Sequence, residues 1–366
     1  MEKQHLTYFK IENFKRFDSF EMSNLGQFNL IVGDNNVGKT SVLEALTFDE
    51  NLVYWRSNLQ NTTNFRGFFG DQVNLKPEGI KDAEAWKLIF KDTVKPLIVT
   101  ANSNHLLHMS LSLISYKDLS SSEVETIKKH SISTIPQLWI KQEFHNKVVS
   151  RFPQLLSAYF EDVAYLDDPS YIPFIPVNLS YGDDLVDYFY EYINVDKVLK
   201  KELEENLKNL IPNLEEVRVH RFSKTHEVLC VTLTNSNGIY PLVRYGDGTV
   251  KTTRILMETL LAKNKRFMID EIGAGIHFLR LKDFWQTIIQ LCAQNNTQLF
   301  ATTHSLECQQ AFIEALEEPE MQQYQKDARN ISLIENKQGE VKAVTYDFGQ
   351  FEYALNIGFN TRGGAR

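Results

Sequence analysis

The pattern of apolar and polar positions changes character along the chain, and those changes outline its elements. Residues 6–12 (LTYFKIE) alternate and residues 28–32 (FNLIV) are almost wholly apolar, so both predict strands, the second deeply buried. Residues 39–48 (KTSVLEALTF) predict a helix. From 50 to 80 the chain is rich in Asn, Gly and Phe with weak periodicity, which predicts loop with one helix at most. Strands are expected at WKLIF, PLIVTA and LHMSLSLIS within 85–115, then helices at 121–130 and 136–160. Pro169, Pro173 and Pro176 mark 165–180 as a connecting loop.

Residues 183–210 form a charged amphipathic stretch that ends at Ile211-Pro212, where helices tend to stop. Segments 215–222, 227–234 and 238–244 then predict antiparallel strands, with Asn237-Gly238 as a hairpin turn. From 246 the rhythm becomes helix to 263, strand 266–270, helix 278–294, strand 297–302 and helix 305–317. A parallel sheet with crossover helices produces that rhythm. Two strands, 331–335 and 341–346, close the pattern.

Composition narrows the class. A chain of 366 residues with 43% apolar and 12% aromatic residues can fill a large core, as one big domain or a core with an insertion. A net charge of −8 excludes a basic bulk surface for nucleic acid. Lys10, Lys15 and Arg16, with Arg362 and Arg366, remain local basic groups that fit a solvated face better than a groove. Cys230, Cys292 and Cys308 lie far apart and are odd in number, which fits a reduced, cytoplasmic protein. No signal-like segment follows Met1, and no apolar run approaches the ~20 residues of a membrane helix, so a soluble protein is expected.

The clearest chemistry lies at Gly33-Asp34-Asn35-Asn36-Val37-Gly38-Lys39-Thr40, a full match to G-x-x-x-x-G-K-[ST] between an apolar strand and a helix. Gly33 and Gly38 let the loop, with Asn35 and Asn36, turn its N–H groups toward phosphate oxygens, and the helix start at Ser41 adds its positive dipole end. Lys39 is expected on the β- and γ-phosphates of ATP, and the Thr40 hydroxyl on Mg²⁺.

A second cluster follows. Strand 266–270 ends in Asp270-Glu271, placing Asp270 to hold Mg²⁺ through water and Glu271 to act as general base on the attacking water. Strand 297–302 ends in Thr303-His304-Ser305, so His304 emerges at the same sheet edge; it fits a catalytic role and a helix-start histidine beside a capping Ser305 equally well.

Together these motifs resemble the ABC-type ATPases, and more specifically the SMC, RecF and OLD branch. LTYFKIENFKRF is similar to that branch's opening strand, and IDEIGAGIHF to its Asp-Glu stretch, with Gly275 and His277 opening the loop that touches the opposing subunit. The resemblance implies an α/β P-loop ABC-type ATPase head: a mixed sheet flanked by helices, with an antiparallel β subdomain, carrying a large α+β/helical insertion. The head is expected at 1–48 and 213–366, the insertion at 49–212. It also implies a signature-like loop at Gly246, Asp247 and Gly248 that covers a neighbour's triphosphate, although Tyr245 stands where the family has serine. No equivalent of the glutamine loop is evident.

The function implied is an ATP-hydrolysing protein that forms a homo-oligomer, a dimer or higher, around sandwiched ATP. Long heptads are absent and the chain carries no nuclease segment of the OLD type, which favours a separate effector protein. That arrangement is similar to stand-alone ATPase subunits of antiphage systems such as PARIS or Septu, whose effector is a nuclease or toxin. A RecF- or SMC-like repair ATPase acting on DNA and a nucleotide-sensing scaffold with little turnover are the alternatives. The lack of an N-K-x-D motif disfavours a GTPase.

Overall fold

The computed structural model describes residues 5–48, 89–103, 106–115, 120–122, 124–125, 138–144, 147–152, 172–177, 185–223 and 226–358. Its centre is a six-stranded sheet in the order β15-β14-β3-β13-β12-β8. These strands are β3 (Phe28–Gly33), β8 (Phe174–Ile175), β12 (Arg266–Ile269), β13 (Gln298–Thr303), β14 (Ala328–Glu335) and β15 (Val341–Asp347). All neighbours are parallel except β14 and β15. All six residues of β3 are buried, as expected of a central parallel strand covered on both faces.

A second sheet, wholly antiparallel, runs β2-β1-β4-β5-β6-β7. It comprises β1 (Tyr8–Phe14), β2 (Phe17–Ser23), β4 (Leu97–Asn102), β5 (Leu106–Ser115), β6 (Leu138–Phe144) and β7 (Lys147–Phe152). A third has the order β11-β10-β9, made of β9 (Leu214–Ser223), β10 (His226–Leu233) and β11 (Ser236–Pro241). The helices are α1 (Lys39–Ala45), α2 (Leu185–Tyr188, continued by a π-turn to Ile193), α3 (Lys197–Leu207), α4 (Asp247–Leu261), α5 (Leu281–Gln294), α6 (Leu306–Glu317) and α7 (Phe348–Asn356).

Alternate residues of β3 feed two cores. Phe28, Leu30 and Val32 pack with α4, α5, α6 and the inner face of β9 and β10. Ile31 packs on the other side with Val42 and Leu43 of α1 and with Phe9, Ile11 and Val99 of the antiparallel sheet. Period-two alternation across a covered strand produces this division.

Several expectations need correction. Residues 136–160 were expected to be helical, but β6 and β7 form an antiparallel pair in which Phe144 faces Lys147. Aromatic and β-branched residues (Trp139, Ile140, Val148, Val149, Phe152) suit pleated pairing with β5, and that pairing overrides the helical spacing. The hairpin turn falls at Thr234–Asn235 rather than Asn237-Gly238, which belongs to β11; a register shift at Thr232/Leu233 moves it. Strand β2 was not foreseen. The expected loop 165–180 contains β8, and the amphipathic stretch 183–210, where it is described, is two helices: α2 with its π-turn, then α3 after a turn at 194–196. Of helix 121–130 only residues 121–122 and 124–125 are described, and they are helical. WKLIF lies outside the described residues except for its last two, where Phe90 bridges to Phe14.

The segment expected as an insertion, 49–212, is built into both large sheets where it is described. Strands β4 to β7 extend the sheet begun by β1, and β8 joins the edge of the central sheet beside β12. Among the described residues no helix is long and apolar enough to cross a membrane, and the three cysteines are buried and free.

Candidate nucleotide site

The phosphate-loop residues lie where β3 passes into α1. Gly38 caps the helix at φ 100°, a left-handed conformation suited to glycine, and a Cβ there would lie 2.7 Å from Phe17 Cζ. Asp34, Asn35 and Asn36 are exposed, while Lys39 and Ser41 are buried. Lys39 Nζ donates to the carbonyls of Gly33 at 2.9 Å and Asp34 at 3.1 Å, so its ammonium lies folded over the loop.

From Thr40 a continuous set of hydrogen bonds crosses the sheet edge. Thr40 Oγ1 donates to Asp270 Oδ2 at 2.8 Å, and Thr302 Oγ1 donates to Asp270 Oδ1 at 2.6 Å. The same Thr302 oxygen accepts the Glu271 N–H at 2.8 Å. Glu271 Oε2 lies 2.7 Å from His304 Nδ1, which carries the proton because a carboxylate only accepts. The His304 amide adds a longer bond to the same oxygen at 3.3 Å. Adjacent parallel strands β12 and β13 end side by side, and this brings Asp270, Glu271, Thr302 and His304 together.

Burial raises the Asp270 carboxyl above the usual range, and the hydrogen bonds from Thr302 and Thr40 pull the other way. Its backbone is fixed by the neighbouring edge strand, since the Asp270 N–H donates to Ile175 of β8 at 2.9 Å. Among the described residues no three His, Cys, Asp or Glu side chains converge as a self-sufficient metal cage. A hydroxyl and a carboxylate oxygen side by side are hard donors that fit Mg²⁺, which takes one or two protein ligands and completes its shell with phosphate and water.

Two residues taken for surface charges lie beside this loop. Lys15 and Arg16 form the two-residue tip of the hairpin between β1 and β2. Lys15 pairs with the buried Glu44 of α1. Arg16 donates to the Asn36 carbonyl and pairs with Glu335 at 2.7 Å. Their sequence signal was their place in the NFKRF segment; their partners at positions 36, 44 and 335 gave none.

The signature-like residues lie elsewhere. Gly246 and Asp247 are exposed at the start of α4, and hydrogen bonds among the described residues join none of Gly246, Asp247 and Gly248 to Gly33–Ser41. Gly248 instead packs against the turn after Glu271: a Cβ on it would lie 2.2 Å from the Gly275 carbonyl oxygen. Tyr245 is half-buried against the helical core. His277 stacks on Phe278, which with Leu279 is largely exposed.

Similarity to known proteins gives the family and the fold. A Helicobacter pylori protein named "ATP/GTP phosphatase" is 25% identical over 338 residues, covering 84% of this chain and 86% of that one. A solved SMC head bound to the C-winged helix domain of ScpA aligns with 94% of this chain and 98% of its own, at 12% identity and a TM-score of 0.50. An SMC head from Thermotoga maritima aligns at 12% identity over 94% of this chain and 99% of its own, with a TM-score of 0.45. The expected architecture, a mixed sheet flanked by helices with an antiparallel subdomain, is therefore that of an SMC-like head. The family described as "AAA domain, putative AbiEii toxin, Type IV TA system" matches residues 134–307. The family described as "AAA domain" matches residues 9–219, from β1 through the phosphate loop into β9, and by that match the chain belongs to the AAA domain family of P-loop ATPases.

Proposed function

We propose that this protein hydrolyses ATP, assembles as a dimer or higher homo-oligomer around the bound nucleotide, and through that assembly controls a separate effector. The observation that carries the reading is the unbroken hydrogen-bonded path from Thr40 through Asp270, Thr302 and Glu271 to His304. The name of the Helicobacter relative, "ATP/GTP phosphatase", supports hydrolysis. The match to a family described with a toxin–antitoxin system supports the effector role, the effector on this reading being a nuclease or toxin of antiphage defence.

In this mechanism the γ-phosphate enters the loop, and Lys39 exchanges the carbonyls of Gly33 and Asp34 for phosphate oxygens. Thr40 and Asp270 are the residues that would hold Mg²⁺, which when bound neutralises charge building on the phosphate oxygens. Water attacks the γ-phosphorus, Glu271 takes the water proton, and the bond to the β-phosphate oxygen breaks. His304 Nδ1 holds the Glu271 carboxylate in place for that transfer.

Gly246–Gly248 would supply the lid on a neighbour's triphosphate, because their exposed helix start leaves their own loop untouched. On this reading 1–48 and 213–366 form the head, with β4 to β8 of the segment 49–212 completing its two large sheets. The test is nucleotide binding, phosphate release and solution mass together. Lys39→Ala is expected to lose ATP. Glu271→Gln is expected to keep ATP, lose turnover and stay assembled. A Glu271→Gln protein hydrolysing ATP at the normal rate would remove Glu271 from the role of base.

A further inference from the structure

Among the described residues the mechanism leaves two buried cations of α4 unused, Lys251 and Arg254, and Lys251 is the one that reaches the site. Lys251 lies on α4 three residues after Gly248, and only 1% of it is exposed. Its Nζ donates to the main-chain carbonyl of Glu271 at 2.6 Å, with the carboxylates of Asp270 and Glu271 and the thiol of Cys308 as its neighbours. Burying an ammonium is unfavourable even when it is paired, so stability alone is a poor reason for its presence.

The group it contacts is itself unusual. Glu271 has φ 49°, the left-handed conformation that non-glycine residues avoid. Such a backbone persists where its surroundings over-determine it. Here both main-chain polar atoms of the residue are held: the N–H by Thr302 Oγ1 of β13, the carbonyl by Lys251 of α4 and, within the turn, by the Ala274 N–H at 3.0 Å. Helix α4 touches the same turn again at Gly248, whose missing side chain admits the Gly275 carbonyl. One helical turn, 248 to 251, thus spans the two ends of the turn 271–275.

We propose that Lys251 is a positioning residue: it holds the Glu271 peptide in its left-handed conformation and ties the base to the helix that opens at Gly246–Gly248. Contact between that helix start and a neighbour's triphosphate then reaches the carboxylate through a single rigid connection. The inference rests on the reading of Glu271 as general base and of Gly246–Gly248 as a loop acting on a neighbour.

Steady-state phosphate release over a range of ATP concentrations tests it, with Lys251→Met, Lys251→Gln and Glu271→Gln assayed side by side and their folding checked by circular dichroism. Lys251→Met keeps length and removes the donor; it is expected to lower kcat roughly 10- to 100-fold, as a small misplacement of a reacting group does, while KM for ATP is kept. Lys251→Gln, a shorter neutral donor, is expected to fall between Met and wild type. Should the Met protein fail to fold, the Gln protein alone decides by the same kcat-against-KM split. A folded Lys251 variant with wild-type kcat overturns the proposal, provided Glu271→Gln is inactive. Equal loss in kcat/KM through KM alone also overturns it, because that places Lys251 in binding. Wild-type turnover by Glu271→Gln instead removes the base assignment, and the proposal falls with it.

Discussion

Lys251 shows how a single side chain can be invisible in sequence and conspicuous in three dimensions. The pair Asp270-Glu271 could be read from a strand ending in two carboxylates, and Lys39 and Thr40 from their loop pattern. Thr302, Lys251 and Arg16 could not, because each acquires its role from a partner 20 or more positions away. Burial pushes the Lys251 ammonium down to about 8 from an ordinary 10.5, against the attraction of Glu271 and Asp270. The lowered value means the unfolded chain binds the proton more tightly than the folded one between those limits. This residue therefore makes stability rise as pH increases from about 8 to 10.5, and its burial is most unfavourable below that window. Thermal melts of the nucleotide-free wild-type protein and Lys251→Met across the window check the sign. The difference in melting temperature, wild type minus variant, is expected to grow with pH; a difference constant with pH would contradict it.

The elements were most legible where periodicity was long and both faces of a strand were covered. Strand β3 and helices α4, α5 and α6 were predicted close to their observed limits. Strand β2 and the pair β6–β7 escaped because strands toward a sheet margin take their conformation from pairing, which local spacing does not encode. The two-residue β8 is the extreme case: two apolar residues between prolines look like loop, yet they fix the backbone of Asp270. The site itself depends on how α4 meets the turn after β12. Gly248→Ala would drive a Cβ into a backbone carbonyl that cannot swing aside, so α4 must lift from residues 271–275. The expected cost is about 1–3 kcal/mol, the range of an overpacked contact, read as a lower denaturant midpoint. Phosphate release should fall with it. An unchanged midpoint would show that α4 and the turn are not in rigid contact.

At the scale of the whole molecule, charge and geometry lead to the same idea by different routes. A net charge of −8 gives no bulk affinity for nucleic acid, so the repair reading depends on a local basic surface, and Lys15 and Arg16 are already paired with Glu44 and Glu335. Meanwhile the nucleotide site gathers Lys39, Thr40, Asp270, Glu271 and His304 in one place, while among the described residues Gly246–Gly248 make no hydrogen bond to the phosphate loop. If the site is completed by a second copy, two inactive variants must repair one another. Lys39→Ala spoils the loop but leaves the helix start intact; Asp247→Trp places a bulky ring on the exposed helix start but leaves the loop intact. In a mixed dimer one of the two composite sites is whole, since each chain supplies what the other lacks. Equal mixing should then restore roughly a quarter of wild-type phosphate release, half the dimers being mixed with half their sites whole, under an isologous twofold arrangement. Each variant alone should be inactive. Activity that stays absent on mixing, with both variants folded and able to exchange subunits, would mean that a single chain builds its whole site and that Gly246–Gly248 serve only to start α4.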